Sequence, residues 1–479
     1  MIKWGILGAG NIAHRFAASL RNLDDCTLYA ISGRSQEKLS AFAEAYPCEK
    51  IYLSHEELLR DPEVDAVYLA LPHGMHTEWA IAALSARKAV LCEKPAALDR
   101  GQMAAIRDCA VRHGTLFMEA MKTRFTPLYR QIRQMVMEDK VIGDLIGIDT
   151  SLCFTLPAES YGKTYHTDLS QGGCLLDSGV YCASWLEDYA AGAPKLQKIY
   201  ANVRQGVDFY VDAALRFGDM DASLETAFDR SKEKRAVLYG TKGRIEVLDL
   251  HRPTKAILSV TGESREIEAA YEHDDFYGQI RHFCDRLLQG KTESDVMPLA
   301  ASVRCAEILD TIRDGFTKYD ANDLCVLEAQ ERDLTFDRFT SATAMDLGNR
   351  LVALDAEYDL PIAVRIVSEP DGSVLFQHIM DGKTGKNIQY AEGKRQTVLH
   401  TGHSSAWATV KRQIDGTFLH ENPDCLLSGG AFPIIAGGRL AATAAVSGLH
   451  EGKDHELVVR ALAGLLERPD PTQLKKALF

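Results

Sequence analysis

Three side chains in this sequence are of the types that move a proton on and off a carbinol oxygen. Lys94 follows the apolar run Ala89–Cys92 within Glu93-Lys94-Pro95, and Asp177 and Tyr181 stand four residues apart in a stretch, 172–190, that reads as a helix. Four residues is about one helical turn, so the carboxyl and the phenol are expected on one face. Alcohol oxidation needs a base at the hydroxyl that is competent near neutral pH. A free phenol titrates near ~10, and an adjacent ammonium lowers that value by stabilising the phenolate. Tyr181 is therefore the candidate base, and Lys94 the group that activates it and hydrogen-bonds the substrate hydroxyl. Asp177 would orient Lys94 or a second hydroxyl. The plainer alternatives are a packed aromatic for Tyr181 and a solvated helix residue for Asp177.

Such chemistry needs a hydride carrier, and the N-terminus supplies a cradle for one. The apolar run Ile2, Trp4, Ile6 and Leu7 stops at Gly8-Ala9-Gly10-Asn11-Ile12-Ala13, which fits the strand–turn–helix pattern G-x-G-x-x-A. Gly8 permits the tight turn, Gly10 lets backbone approach a pyrophosphate, and the first amides of the helix, at Asn11 and Ile12, face the phosphates. The next strand, Cys26–Ser32, is followed by no acid but by Arg34, flanked by Ser32 and Ser35. An acid there would bind a ribose hydroxyl of NAD, whereas Arg and Ser receive the 2′-phosphate of NADP, so NADP is preferred with NAD tolerated. Further strands at 64–71, 89–92 and 115–118 alternate with helical stretches at 77–87 and 98–113. That alternation predicts a parallel doubly wound (Rossmann) sheet with its ligand at the carboxyl ends of the strands. Pro72, His73, His76 and Glu93-Lys94-Pro95 fall just beyond those ends, where chemistry is expected, and Leu71, Pro72, His76, Glu93 and Lys94 are cofactor-binding candidates, though His76 could instead cap the following helix.

Beyond Arg124 the pattern changes. Strands at 145–156, 197–203, 210–216, 223–228, 235–239, 244–248 and 256–260 run with few helices between them, predicting an α+β domain with an open, mostly antiparallel sheet closed by helices at 274–288 and 298–316. A polar linker is expected at 317–323. The remainder predicts a small α+β domain with a hairpin turning at Pro370-Asp371-Gly372, and the fold class is α/β overall. The domain limits are 1–122, 123–318 and 324–479. The length of 479 residues agrees with about three domains. A net charge of -13 disfavours nucleic acid and anionic membrane as partners. No apolar run reaches the ~18 residues of a membrane span, and the start lacks the features of a secretory leader. The 11 cysteines are scattered without a C-x-x-C pair, which reads as reduced thiols and not as a disulfide frame or metal site. These features predict a soluble, cytoplasmic protein.

With these motifs quoted, residues 1 to about 316 resemble the glucose–fructose oxidoreductase/inositol dehydrogenase (Gfo/Idh/MocA) family of NAD(P)-dependent enzymes. The resemblance rests on the Gly8–Ala13 turn, Pro72 with His76, Glu93-Lys94-Pro95, Glu119-Ala120-Met121 with Thr123-Arg124-Phe125, and the segment Gly172-Gly173-Cys174 to Tyr181. Tyr at position 181, where many relatives carry His, is most similar to the dimeric dihydrodiol dehydrogenase and NADP-dependent xylose dehydrogenase branch. The resemblance implies a sugar, polyol or cyclic diol substrate, the layout of Lys94, Asp177 and Tyr181 given above, and a homodimer or larger homo-oligomer. Arg124, Tyr165 and His166 are further substrate-contact candidates, with His166 just before the segment where relatives bind substrate. Two other functions are open, the first of which uses the same residues. One is redox-neutral glycoside cleavage through a transient 3-keto sugar with retained NAD, for which Asp177, Tyr181 or His166 could serve as the added base. The other is a ligand sensor without turnover.

The last domain resembles a family of small haem-degrading or haem-binding-like proteins. The matching residues are Gly402-His403-Ser404-Ser405, Gly429-Gly430-Ala431-Phe432-Pro433-Ile434, Val446-Ser447-Gly448-Leu449 and Asp454-His455-Glu456-Leu457. Lys394-Arg395 with Gly402–Ser405 could form an anion pocket. His403 and His455 are possible haem or metal ligands, although a lone histidine is more often structural.

Overall fold

The computed structural model describes residues 1–204, 206–316, 319–358, 360–415, 424–449 and 452–474. Two compact units result, 1–200 with 207–316 and 317–479 with 201–206. The expected limits at 318 and 479 and the first two residues of the expected linker, 317 and 318, lie outside the described residues.

The first unit begins with six parallel strands: β1 Ile2–Leu7, β2 Cys26–Ser32, β3 Lys50–Tyr52, β4 Ala66–Leu69, β5 Ala89–Cys92 and β6 Phe117–Glu119. Their order is β3-β2-β1-β4-β5-β6, so the chain reverses direction across the sheet between β1 and β4. Ligands of such sheets bind at that reversal, beyond the carboxyl ends. The central strands are buried on both faces, which is why β4 and β5 read as continuous apolar runs. Gly8, directly after β1, has φ +98, and a Cβ there would stand 2.5 Å from the Ala70 carbonyl oxygen. Only glycine fits that turn. Sequence reading passed over β3 and the helices Gln36–Ala45 and His55–Arg60, all of which are short or half-exposed.

The second layer of this unit is an eight-stranded sheet: β7 Leu145–Cys153, β8 Pro194–Arg204, β9 Val207–Phe217, β10 Met220–Ala227, β11 Arg235–Gly240, β12 Gly243–Leu248, β13 Lys255–Val260 and β14 Glu263–Glu268. The order is β14-β13-β12-β11-β7-β10-β9-β8. The resolved neighbours pair antiparallel except β7 and β10, which run parallel at the centre.

The helix expected over 172–190 is broken. Cys174–Asp177 forms one short turn and Gly179–Tyr189 a separate helix, divided at Ser178. The cause is long-range. The Asp208 carboxylate accepts the Leu175 amide at 2.6 Å, and the Ser178 hydroxyl bonds Thr226 Oγ1 at 2.6 Å. Asp177 and Tyr181 are thus held by two elements and not by one helix face.

The second unit carries a four-stranded antiparallel sheet ordered β16-β15-β18-β17, with β15 Ala363–Ser368, β16 Val374–Ile379, β17 Ala431–Ala436 and β18 Arg439–Ser447. Helices Ser341–Leu354 and Lys453–Leu465 bury Leu347, Leu351, Leu457, Val458 and Leu462 in a core with Ile366, Phe432 and Val446. The expected linker is in part helix. Asp320 accepts the amides of Asn322 and Asp323 in a capping box, so a helix runs over Ala321–Asp333.

Candidate active site

Beyond the carboxyl end of β5, Lys94 donates from Nζ to Asp177 Oδ1 at 2.9 Å and to the Asp177 carbonyl oxygen at 2.7 Å. The same ammonium stands 5.1 Å from the centroid of the Tyr181 ring. The three sequence-derived candidates therefore meet in one cluster, with Asp177 and Tyr181 buried and the Lys94 side chain 14% exposed. Burial opposes the charge on Lys94, but Asp177, Tyr181 and Tyr165 outweigh it and hold the ammonium above its ordinary range. Burial likewise opposes the Asp177 carboxylate, and Lys94 above all keeps it below the usual carboxylate range. The result is a committed ion pair at neutral pH.

Tyr181 differs from the sequence expectation. Burial lifts its phenol above the ordinary value, and the opposing pull of Lys94 does not cancel that rise. The ammonium is aimed at Asp177, not at the phenol oxygen. Tyr181 accordingly rests as a neutral phenol, a proton donor first and a base only in alkaline solution.

Two histidines border the pair. His73 Nε2 lies 3.8 Å from Asp177 Oδ1, and His166 Nε2 lies 4.0 Å from Oδ2. Burial, then Lys94, pushes His73 down to about 3, and burial lowers His166, so both imidazoles are neutral at pH 7. Tyr165 stacks on His166 with centroids 4.0 Å apart and meets His73 edge-on at 4.9 Å. Its own phenol is raised to about 12, chiefly by burial. Tyr165, His166 and Asp177 are thereby brought together. His73, one residue beyond Pro72 and at the start of the helix His73–Ser85, lies at the strand end where sequence places the chemistry, although sequence reading assigned it no role of its own.

Other candidates are spent elsewhere. Arg124 is buried, donating from Nε to Ser184 Oγ at 2.8 Å and from one terminal nitrogen to the Ser184 carbonyl at 2.7 Å and Glu187 at 2.6 Å. Its donors are consumed in fixing the helix Gly179–Tyr189, so it is a framework residue and not a substrate contact. His76 faces carbonyl oxygens with both ring nitrogens, Pro95 through Nδ1 and Leu71 through Nε2, each at 2.8 Å. It neither caps the helix nor presents its ring; it ties the β4 and β5 loops together. The Ser32 hydroxyl is fully buried against the Ile6 carbonyl and His55 Nδ1, so only its backbone can meet a ribose. Glu93 turns its carboxyl inward to Tyr68. Ser35 caps the helix Gln36–Ala45 through the Lys38 amide, which leaves Arg34, exposed at the turn, as the side chain aimed outward.

A dinucleotide fits the turn itself. A Cβ at Gly10 would project into open space, and the helix Asn11–Leu20 starts there without a side-chain cap. The amides of Asn11 and Ile12, in the first turn, have no intrahelical acceptor.

The candidates in the second unit resolve into structural pairs. Lys394 donates to Asp454 at 2.7 Å and to the Val446 carbonyl at 3.0 Å, fully inside the fold. Arg395 makes a two-point pair with Glu369 at 2.8 and 2.6 Å. Both cations are neutralised, so the expected anion pocket does not form. His455 Nε2 bonds Gln330 Oε1 at 2.8 Å, while His403 Nδ1 pairs with Glu331 at 2.7 Å and stacks on Trp407. No group of three or more metal-binding side chains gathers among the described residues. Nor is any described helix long and apolar enough to cross a membrane.

Residues 2–121 match the oxidoreductase family with an NAD-binding Rossmann fold, residues 129–246 the GFO/IDH/MocA C-terminal domain, and residues 339–463 the haem degrading protein HbpS-like family. The trans-1,2-dihydrobenzene-1,2-diol dehydrogenase of Mus musculus is 32% identical over 327 residues, covering 65% of this chain and 96% of the mouse protein. A 3-ketoreductase from Actinomadura kijaniata, solved with NADP and TDP-benzene, superimposes with a TM-score of 0.60 at 25% identity, covering 66% of this chain and 97% of its own. The aldose-aldose oxidoreductase of Caulobacter crescentus shares the fold alone, with a TM-score of 0.60 at 20% identity over 66% of this chain and 98% of that one.

Proposed function

This chain belongs to the Gfo/Idh/MocA family of NAD(P)-dependent oxidoreductases, and we propose that within it the chain moves a hydride between the cofactor and a secondary alcohol or ketone of a sugar, polyol or cyclic diol. The observation that carries this reading is the buried Lys94–Asp177 pair beneath the Tyr181 ring. Gly8, Gly10, Asn11 and Ile12 hold the pyrophosphate, and Arg34 with Ser35 receives the ribose end, with NADP preferred over NAD. A bound nicotinamide supplies or accepts the hydride. Lys94 positions the substrate oxygen by hydrogen bonding and carries positive charge toward it. In reduction, Tyr181 Oη hands its proton to that oxygen as negative charge develops there; in oxidation, the phenolate takes it back. Asp177 fixes the Lys94 ammonium, and Tyr165, His166 and His73 close the site around the pair.

The test is absorbance of the reduced nicotinamide with NADPH or NADP⁺ and a panel of ketoses, polyols and diols. Substrate-dependent change that disappears in Lys94→Ala is expected. Glycoside hydrolysis at constant absorbance would favour redox-neutral cleavage, for which neutral His166, 4.0 Å from Asp177, is a ready second base.

We also propose domain limits of 1–122 and 123–318, with the third domain starting at Asp320 and not at 324, because a limit at 324 would cut the helix Ala321–Asp333. A homodimer through the eight-stranded sheet and a cytoplasmic location complete the reading, the latter supported by eleven free cysteines.

A further inference from the structure

One carboxylate in the first unit is shared by three cations. Asp275, only 6% exposed, pairs with Arg15 and with Lys122, and lies 3.1 Å from Arg252 Nε in a third ion pair. Lys122 is itself buried, and Asp275 is its one hydrogen-bond acceptor among the described residues, although an ammonium carries three donors. Burial lowers its pKa to about 8 against the pull of Asp275, with Arg252 and Arg15 adding repulsion. Nearby carboxylates are committed: Asp274 accepts the Ser19 hydroxyl and the amides of Phe276 and Tyr277, and Asp249 pairs with His251. Of the three cations only Lys122 is buried, and a buried ammonium with one acceptor is costly unless a further acceptor, such as an anion, completes it.

The arc adjoins the reacting end of the site. Lys122 lies three residues past β6, beyond the carboxyl edge of the parallel sheet, and Arg15 is in the helix that starts at the phosphate turn. The His251 ring lies 5.8 Å from the Tyr181 ring, and the His251 carbonyl accepts the Thr123 hydroxyl at 3.1 Å, which ties the Lys122 segment to the Arg252 loop. The two arginine side chains are 38% and 46% exposed, so a ligand can reach them.

We propose that the substrate is an anion, a sugar acid or sugar phosphate whose carboxylate or phosphate is received by Arg15, Lys122 and Arg252 while its reacting carbon lies at Tyr181. The proposal rests on the reading of Lys94 and Tyr181 as the reacting end, and it adds the substrate class.

The test is isothermal titration of the NADP⁺-saturated full chain with D-gluconate, D-glucuronate, D-glucose 6-phosphate and D-glucose. At least one acid is expected to bind tenfold or more tightly than glucose, with affinity falling as salt rises. Whether a carboxylate or the phosphate binds best separates the two anion types. Arg252→Gln and, separately, Lys122→Met should collapse the acid-to-neutral ratio toward one; Arg252 is half-exposed, so its variant tests the idea without a core change. Equal binding of acids and glucose, no binding of any acid, or a ratio that survives both substitutions overturns the proposal. So does weakened NADP⁺ affinity in the variants at an unchanged ratio, which assigns the arc to the cofactor's pyrophosphate. Nicotinamide absorbance read on the same mixtures keeps the premise separate: acid binding without any redox change would leave the anion site standing and sink the reading of Lys94 and Tyr181.

Discussion

The buried, neutral phenol of Tyr181 makes the two directions of the reaction respond differently to pH. Reduction uses the protonated form, and the pKa is raised, so the competent state is fully populated throughout the neutral range. Oxidation uses the phenolate. Even at the ordinary value near ~10, only about one site in a thousand is ionised at pH 7, and the upward shift makes that fraction smaller still. With a neutral substrate, which does not call on Lys122, the log of kcat/KM for oxidation should therefore climb with slope one from pH 6 to pH 9 without a plateau, while that for reduction stays flat. No imidazole break should interrupt either curve near pH 6.5, because burial lowers both His73, to about 3, and His166. Asp177 is lowered too, so its protonation contributes only at the acid extreme. Tyr181→Phe should cost about 10²–10⁴ in kcat for reduction and erase the slope in oxidation, the usual worth of a positioned proton donor. Initial rates in both directions across pH 5.5–9.5 measure this. A plateau in oxidation below pH 8 would refute the reasoning, since it would mean that Lys94 does overcome burial at the phenol; an inflection near 6.5 lost in His166→Gln would move the proton to the imidazole.

Other expectations are more local. Gly8→Ala places a Cβ 2.5 Å from a backbone oxygen at φ +98, so NADPH affinity by fluorescence titration should fall by tenfold or more. Arg34→Asp should shift the ratio of kcat/KM from NADP toward NAD by about tenfold or more, because an acid repels the 2′-phosphate and accepts the ribose hydroxyl; an unchanged ratio would remove Arg34 from the site. Lys394→Met leaves Asp454 buried without its cation, a loss of roughly 3–5 kcal/mol. Hydrogen exchange in the segment Gly385–Thr401 should accelerate while exchange in β1 and β4 does not.

The strand–turn–helix cradle and the Lys94–Asp177–Tyr181 group were legible because each announces itself locally, by glycines after an apolar run or by a motif at a strand end. What sequence missed depended on partners far along the chain. The break at Ser178 is set by Asp208 and Thr226, residues that nothing in the 172–190 pattern reveals. Arg124 looks like a free guanidinium until Ser184 and Glu187 fold onto it, and Lys394 and Arg395 look like an anion pocket until Asp454 and Glu369 neutralise them. Ser32 ends a strand buried on both faces, so alternation gave no sign that its hydroxyl turns inward. In each case the residue type was read correctly and its availability was not.

Availability also links the catalytic pair to the cationic arc. Two groups draw the Tyr181 phenol downward, Lys94 most and Arg252 after opposing contributions from Glu93 and Asp177, and together they still fail to offset burial. An anion seated on Arg15, Lys122 and Arg252 cancels the second pull and adds negative charge on the same side, which raises the phenol further. The bound complex then holds the phenol proton more tightly, so the phenolate that oxidation needs is scarcer at any given pH than in the free enzyme. If the arc does receive an acidic substrate, oxidation of its alcohol should need a more alkaline solution than oxidation of a neutral sugar at the same site, while the protonated phenol that reduction uses stays fully populated in both cases.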